Sequence, residues 1–147
     1  MTATYAFDNI TSGNVTVTTT HSKAGSNGQS LNLMEATTTK TGMSGATVTA
    51  TNLIPAGSLV LAVTLRVTTT ITGATTFTIG DGTTANRWGT GIALAAGTTT
   101  TLADAVTATP AIYPTATSVV LTATGSNFTA GAVRISVFYY SVTAPTS

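Results

Sequence analysis

The sequence predicts an all-β fold, an antiparallel β-sandwich of jelly-roll-like type carrying an extended N-terminal arm. Three observations predict it. About a quarter of the 147 residues are threonine, a β-branched and half-polar side chain that suits a strand with one wet face. Apolar residues alternate with period two in several segments, bounded by Gly, Pro or Asp turn signals at the spacing of sandwiches and barrels. No segment sustains a helical period, so the crossover helices that a parallel sheet needs are missing and antiparallel pairing follows.

Residues 1–45 read as the arm. Within it, residues 14–20 (NVTVTTT) alternate Val15 and Val17 with threonine as a strand would. Residues 21–30 (HSKAGSNGQS) form a polar loop, and Leu31, Leu33 and Met34 give a brief apolar patch. Apolar content this sparse predicts an arm or irregular strand pair that docks onto something else rather than building its own core.

The sandwich domain is expected over residues 46–147. Its plainest strand is 59–70 (LVLAVTLRVTTT), in which Leu59, Leu61, Val63, Leu65 and Val67 form one apolar face. Pro55-Ala56-Gly57 punctuates before it and Thr72-Gly73-Ala74 after it. Phe77 and Ile79 share one side of the next strand, which ends in the tight turn Asp81-Gly82. Further strands are expected at 92–95, 98–102, 106–109, 118–124 with Val119 and Leu121 inward, and 132–142. The last is apolar on both faces, with Val133, Ile135, Val137 and Tyr139 on one and Phe138, Tyr140 and Val142 on the other. A strand buried on one side only has no use for the second set, so part of the outer face is expected to lie under another subunit.

Charge narrows the function classes. Charged residues make up 6% of the chain and the net charge is +1, against about 25% charged in ordinary soluble proteins. Five Lys/Arg are too few for nucleic-acid binding through counterion release. The longest aliphatic runs, 59–63 and 92–96, are far too short to cross a bilayer as helices, so no membrane partner is expected. The N-terminus shows neither the positive region nor the apolar stretch of a secretory signal.

Parts for catalysis are lacking. The single histidine, His21, stands in a polar loop, and with no cysteine the usual zinc ligands are missing. No catalytic residue, metal or cofactor is therefore expected. The four acids, Asp8, Glu35, Asp81 and Asp104, lie far apart in sequence, which favours turn, capping and solvated roles over a paired-carboxylate site. Residues 80–86 (GDGTTAN) offer one carboxylate where a calcium loop needs several oxygens, and read as a turn. A ranked-threonine ice-binding solenoid would repeat at a fixed period, and none is visible.

Two places remain for contacts. Trp88 reads first as a plug at one end of the sandwich, then as an interface anchor or a ring that stacks on a sugar, with Arg87 beside it in a surface loop. Arg66 and Arg134 stand mid-strand on less apolar faces, where arginines are commonly just solvated. Together with Phe138 and Tyr140 they form the expected subunit interface. Tyr5, Phe7, Val15 and Val17 are the residues by which the arm is expected to dock.

Residues 54–60 (IPAGSLV), 69–82 (TTITGATTFTIGDG), Arg87-Trp88-Gly89 and 127–140 (NFTAGAVRISVFYY) resemble a β-rich module of tailed-bacteriophage structural proteins, over residues 53–142. The module serves on heads and on tail fibres. The resemblance implies a virion protein with a sandwich fold, commonly presented as a trimer. The expected function is then a non-enzymatic capsid decoration, or cement, protein: a homotrimer on the outer surface of the major capsid protein shell, made in the bacterial host cytoplasm. The arm, residues 1–45, would lie across neighbouring coat subunits. The alternative is a tail-fibre or receptor-binding tip in which Trp88 and its loop hold a host glycan.

Overall fold

The computed structural model describes residues 22–24, 29–101, 104–105 and 110–144. Its strands, in chain order, are β1 (Ser22–Ala24), β2 (Ser30–Thr41), β3 (Thr47–Ile54), β4 (Ser58–Thr72), β5 (Thr76–Gly80), β6 (Gly89–Ile92), β7 (Ala111–Tyr113), β8 (Thr117–Thr124) and β9 (Ala130–Thr143). They form a five-stranded sheet of order β1-β2-β9-β4-β7 and a four-stranded sheet of order β3-β8-β5-β6, and every pairing is antiparallel. The pairs β2·β9, β3·β8, β4·β7 and β5·β6 nest inside one another like a long hairpin rolled up, which is the topology of a jelly roll. The expected antiparallel β-sandwich is the fold the chain adopts.

The core fills the space between the sheets. Val63, Leu65, Val67, Val133, Ile135 and Val137 reach it from the five-stranded sheet, and Ile54, Phe77, Ile79, Val119 and Leu121 from the other. Side chains of this size contribute about 1.5–3 kcal/mol each when fully buried. Phe77 meets Phe128 edge to face at a centroid separation of 6.1 Å, near the start of β9.

In β4 the alternation differs from the one read in the sequence. That reading puts Leu59 and Leu61 inward with Val63, but Ser58 and Val60 are the buried residues there, and Leu59 and Leu61 are only half-buried. A β-bulge is the cause. Val60 pairs with Tyr139 and Ala62 with the next residue, Phe138, so one extra residue resets the phase before Val63 meets Val137. Leu59, opposite Tyr140, therefore faces out.

The arm expected over residues 1–45 is sheet from residue 30 onward. β2 pairs with β9 over all 12 of its residues, from Ser30 opposite Thr143 to Thr41 opposite Ala132, and Met43 just after it is 1% exposed in the core. The sparse apolar content conceals this because β9 supplies the backbone ladder and most of the buried surface, so threonine suffices on β2. Residues 30–45 thus belong with the sandwich.

The strands expected at 92–95 and 98–102 also resolve differently. β6 ends at Ile92, and the chain then runs along β4 without forming a strand of its own. The amides of Ile71, Val67 and Thr100 bond the carbonyls of Leu94, Thr98 and Leu65 at 2.9, 2.8 and 2.9 Å. The Leu65 amide donates to the Thr100 hydroxyl at 2.9 Å. The strand expected at 106–109 lies outside the described residues.

Candidate functional site

Residues opposed in an antiparallel ladder share a face, so the register reads as rows across the outer side of the five-stranded sheet. One row is Leu33 on β2, Tyr140 on β9, Leu59 on β4 and Ile112 on β7. Three gaps between neighbouring strands make it about 14 Å long. Leu31 opposite Val142 borders the row on one side, and Phe138 opposite Ala62 on the other. Ile112 is 75% exposed, Val142 64%, Leu31 46% and Leu33 39%, so the apolar surface is open.

Further along, the same face turns polar. Thr37, Ser136 and Thr64 form one row, and Thr39, Arg134 and Arg66 the row beyond them. The Thr37 and Ser136 hydroxyls are hydrogen-bonded at 2.7 Å, and Thr37 donates to the Glu35 carboxylate at 2.7 Å. Arg66 and Arg134 are directly opposed and exposed, and among the described residues neither is ion-paired.

The structure places the four expected interface residues, Arg66, Arg134, Phe138 and Tyr140, on one face, the arginines toward one end and the rings toward the other. Sequence reasoning missed four contributors to this face. Leu59 was masked by the bulge phase, and Leu31 and Leu33 by their assignment to the arm. Ile112 sits in a strand of only three residues between Pro110 and Pro114, and that proline bracket was its one available signal.

A second cluster lies at the β5–β6 loop. The Asp81 carboxylate accepts hydrogen bonds from the amides of Thr83 (3.1 Å) and Thr84 (2.8 Å), from Arg87 Nε (2.6 Å) and from the Tyr113 hydroxyl (2.8 Å). The two amide bonds fold the loop locally, as an aspartate at a turn does. The Tyr113 bond ties that loop to β7, and hence one sheet to the other. Burial pushes the Asp81 carboxyl up, but the Thr84 amide, the Tyr113 hydroxyl and the Arg87 charge outweigh it and hold the group below its ordinary range. Burial, reinforced by the adjacent carboxylate, pushes the Tyr113 phenol up. Four donors occupy the lone-pair positions of Asp81, so its role is to brace the loop.

Trp88 completes this cluster from within. It is 1% exposed, its ring lies 6.4 Å from that of Tyr113, and its amide donates to the Ile79 carbonyl at 3.0 Å. Of the three readings open for Trp88, the core plug is the one found. The expected surface contact through Arg87 and Trp88 fails for a physical reason: the indole meets no solvent, and Arg87 is engaged by Asp81 and by the Thr84 hydroxyl at 3.2 Å.

No protein-family model matches the sequence, and no curated protein matches it. Among solved structures, the chain is similar to one from the cyanophage Pam1 capsid asymmetric unit, with 21% sequence identity over 96% of this chain and 99% of that chain and a TM-score of 0.46.

The segments that carry the resemblance read from the sequence are neighbours in space. Gly73, at φ 96°, lies so close to residues 127–129 that a side chain there would run into the Asn127 carbonyl and Thr129, and the Thr129 amide donates to the Thr72 carbonyl at 2.9 Å. Among the described residues no three of His, Asp or Glu gather into a metal-binding group. The expected docking residues Tyr5, Phe7, Val15 and Val17 lie outside the described residues.

Proposed function

We propose that this chain is a non-enzymatic structural protein of a tailed-bacteriophage virion, and within the virion a capsid decoration protein that trimerises and binds the outer surface of the major capsid protein shell. The observation that carries this reading is the outer face of the five-stranded sheet, where Leu33, Tyr140, Leu59 and Ile112 form one apolar row bordered by Leu31, Val142 and Phe138. A contiguous apolar patch in a chain with 6% charged residues marks a surface made to be covered.

The occupant we assign to it is a second copy of the chain. The face carries Glu35 as well as Arg66 and Arg134, so a neighbouring subunit brings the carboxylate that the opposed arginines lack. A closed head-to-tail ring lets these unlike ends meet. The sequence resemblance over residues 53–142 supports the virion setting, with synthesis in the host cytoplasm. Contact with the coat protein falls to the N-terminal segment that holds Tyr5 and Phe7. The tail-tip alternative relied on Trp88 as a glycan platform, and its buried ring removes that support.

Quantitative mass spectrometry of purified particles tests the setting. Near parity with the coat protein is expected, and a few copies per particle would overturn decoration in favour of a tail or vertex position. Sedimentation of the full chain tests the assembly: a trimer is expected, and a monomer at micromolar concentration removes the second copy from the outer face.

A further inference from the structure

Ile112, the most exposed large apolar residue of the outer face, stands in a strand of three residues. β7 pairs with Ser58, Leu59 and Val60 of β4, and the prolines on either side of it, Pro110 and Pro114, have no amide hydrogen with which to extend that ladder. Ala111 is half-buried and Ile112 faces out, so Tyr113 is the one large side chain that β7 buries. Tyr113 is therefore the side chain through which β7 is attached to the core.

What it is attached to belongs to the other sheet. The Tyr113 hydroxyl donates to the Asp81 carboxylate at 2.8 Å, and its ring lies 6.4 Å from that of Trp88. Asp81 is a fixed anchor, because the amides of Thr83 and Thr84 and Arg87 Nε hold the same carboxylate. Gly80 before it lies against the Thr84 carbonyl and Ala85, so the loop is packed main chain on main chain. On the other side, Pro114 keeps Tyr113 extended. Successive side chains of a strand point to opposite faces, so Tyr113 inward sets Ile112 outward through a single peptide unit.

We propose that the hydrogen bond from Tyr113 to Asp81 is the pin that holds β7 in place, and that through it the β5–β6 loop fixes where Ile112 stands in the apolar row of the outer face. Tyr113 and Asp81 are then positioning residues for that face, which neither of them reaches. An Ile112 left to move would have to be ordered as a neighbour docks, a cost that a preset β7 has already met in folding. The use of the row as a contact between copies rests on the assembly proposed above, whereas the pin does not.

Tyr113→Phe keeps the ring and removes the bond, and Val119→Ala, in the core on β8, is its comparison. Both lower the stability of the fold, but only the first touches β7. In the full chain, diluted until it sediments as a monomer, the protected amides of β7 are expected to exchange about tenfold faster in Tyr113→Phe, the scale of a lost hydrogen bond to a charged group. In Val119→Ala they are expected to exchange as in the parent, because they open locally and not with the whole fold. Unchanged β7 exchange in Tyr113→Phe, or an equal rise in both variants, overturns the pin. At concentrations where the parent is assembled, Tyr113→Phe is expected to associate about tenfold more weakly by sedimentation, and Val119→Ala as tightly as the parent. Faster β7 exchange with association unchanged overturns the link from the pin to the contact. A parent that sediments as a monomer at every concentration overturns the assembly instead, and the exchange comparison still decides the pin.

Discussion

Arg66 of β4 and Arg134 of β9 stand directly opposite each other on the outer face of the five-stranded sheet, both exposed, with Thr39 of β2 next in the row. Like charges opposed across strands destabilise a sheet by up to about 1 kcal/mol. The isolated fold gains nothing from the pair. A neighbour's carboxylate set between the two guanidinium groups would turn a liability into a two-armed contact.

Arg134→Glu separates these two roles. It replaces the repulsion with a cross-strand ion pair, so the folded domain is expected to keep its thermal stability or gain up to about 1 kcal/mol. Under the proposed assembly the same change sets a carboxylate against the neighbour's Glu35, and sedimentation should move toward monomer. Intact assembly with unchanged stability would mean that the arginines lie outside the interface.

Ile112→Asp probes the apolar end of that face. Ile112 is 75% exposed, so its replacement leaves the monomer's melting transition within about 0.5 kcal/mol of the parent. Burying a carboxylate in an apolar contact is costly. The oligomer is therefore expected to dissociate at concentrations where the parent is fully assembled, as read by light scattering.

Asp81 gives the fold a pH dependence whose sign follows from its environment. Its folded-state pKa lies below the ordinary value of 3.8, so the unfolded chain takes up a proton first as pH falls. The stabilisation is complete above the ordinary value and is lost as pH drops through the folded one. Asp81→Asn leaves Arg87 without its partner and is expected to cost about 2–4 kcal/mol near neutral pH. It should also flatten the acid limb of the stability profile. Tyr113→Phe removes one donor only, with an expected loss of about 1–2 kcal/mol. Because the carboxylate loses that donor, acid unfolding of this variant should begin at higher pH. Urea titrations between neutral pH and pH 2 check both.

The core was legible in the sequence wherever the ladder is regular. In β5, β8 and β9, plain alternation places Phe77, Ile79, Val119, Leu121, Val133, Ile135 and Val137 inward, and all are buried. β4 broke the reading at Leu59 and Leu61 because a bulge is a property of the pairing with β9, and nothing in LVLAVTLRV announces it. β2 escaped notice because its partner supplies most of what is buried. The candidate face was half visible. The doubly apolar β9 pointed to Phe138, Tyr140 and Val142, but the companions Leu33, Leu59 and Ile112 come from three other strands that only topology brings alongside. Trp88 was legible too: its first reading, a plug at one end of the sandwich, is what the structure shows, and only the surface-contact reading kept beside it is removed by an indole 1% exposed.

Gly80 is the position where the β5–β6 loop depends on the absence of a side chain. Its backbone is not in the left-handed region, so the cost of substitution is purely one of space. A Cβ there would run into the Thr84 carbonyl and Ala85, both main chain, and neither can rotate away. In Gly80→Ala the 81–88 turn has to shift as a body, which pulls the Thr84 amide and the Asp81 carboxylate away from their present partners and loosens the backbone bond from Trp88 to Ile79. The expected destabilisation is about 3 kcal/mol, the scale of overpacking at a site that cannot relax, or roughly 10 °C in melting temperature for a chain of this size. Gly97 is the contrasting case. It has a φ of 92° but open space around it, so Gly97→Ala carries only backbone strain, about 1–2 kcal/mol. Trp88 fluorescence separates the two, because Gly80→Ala should red-shift the emission of the buried indole while Gly97→Ala leaves it where it is.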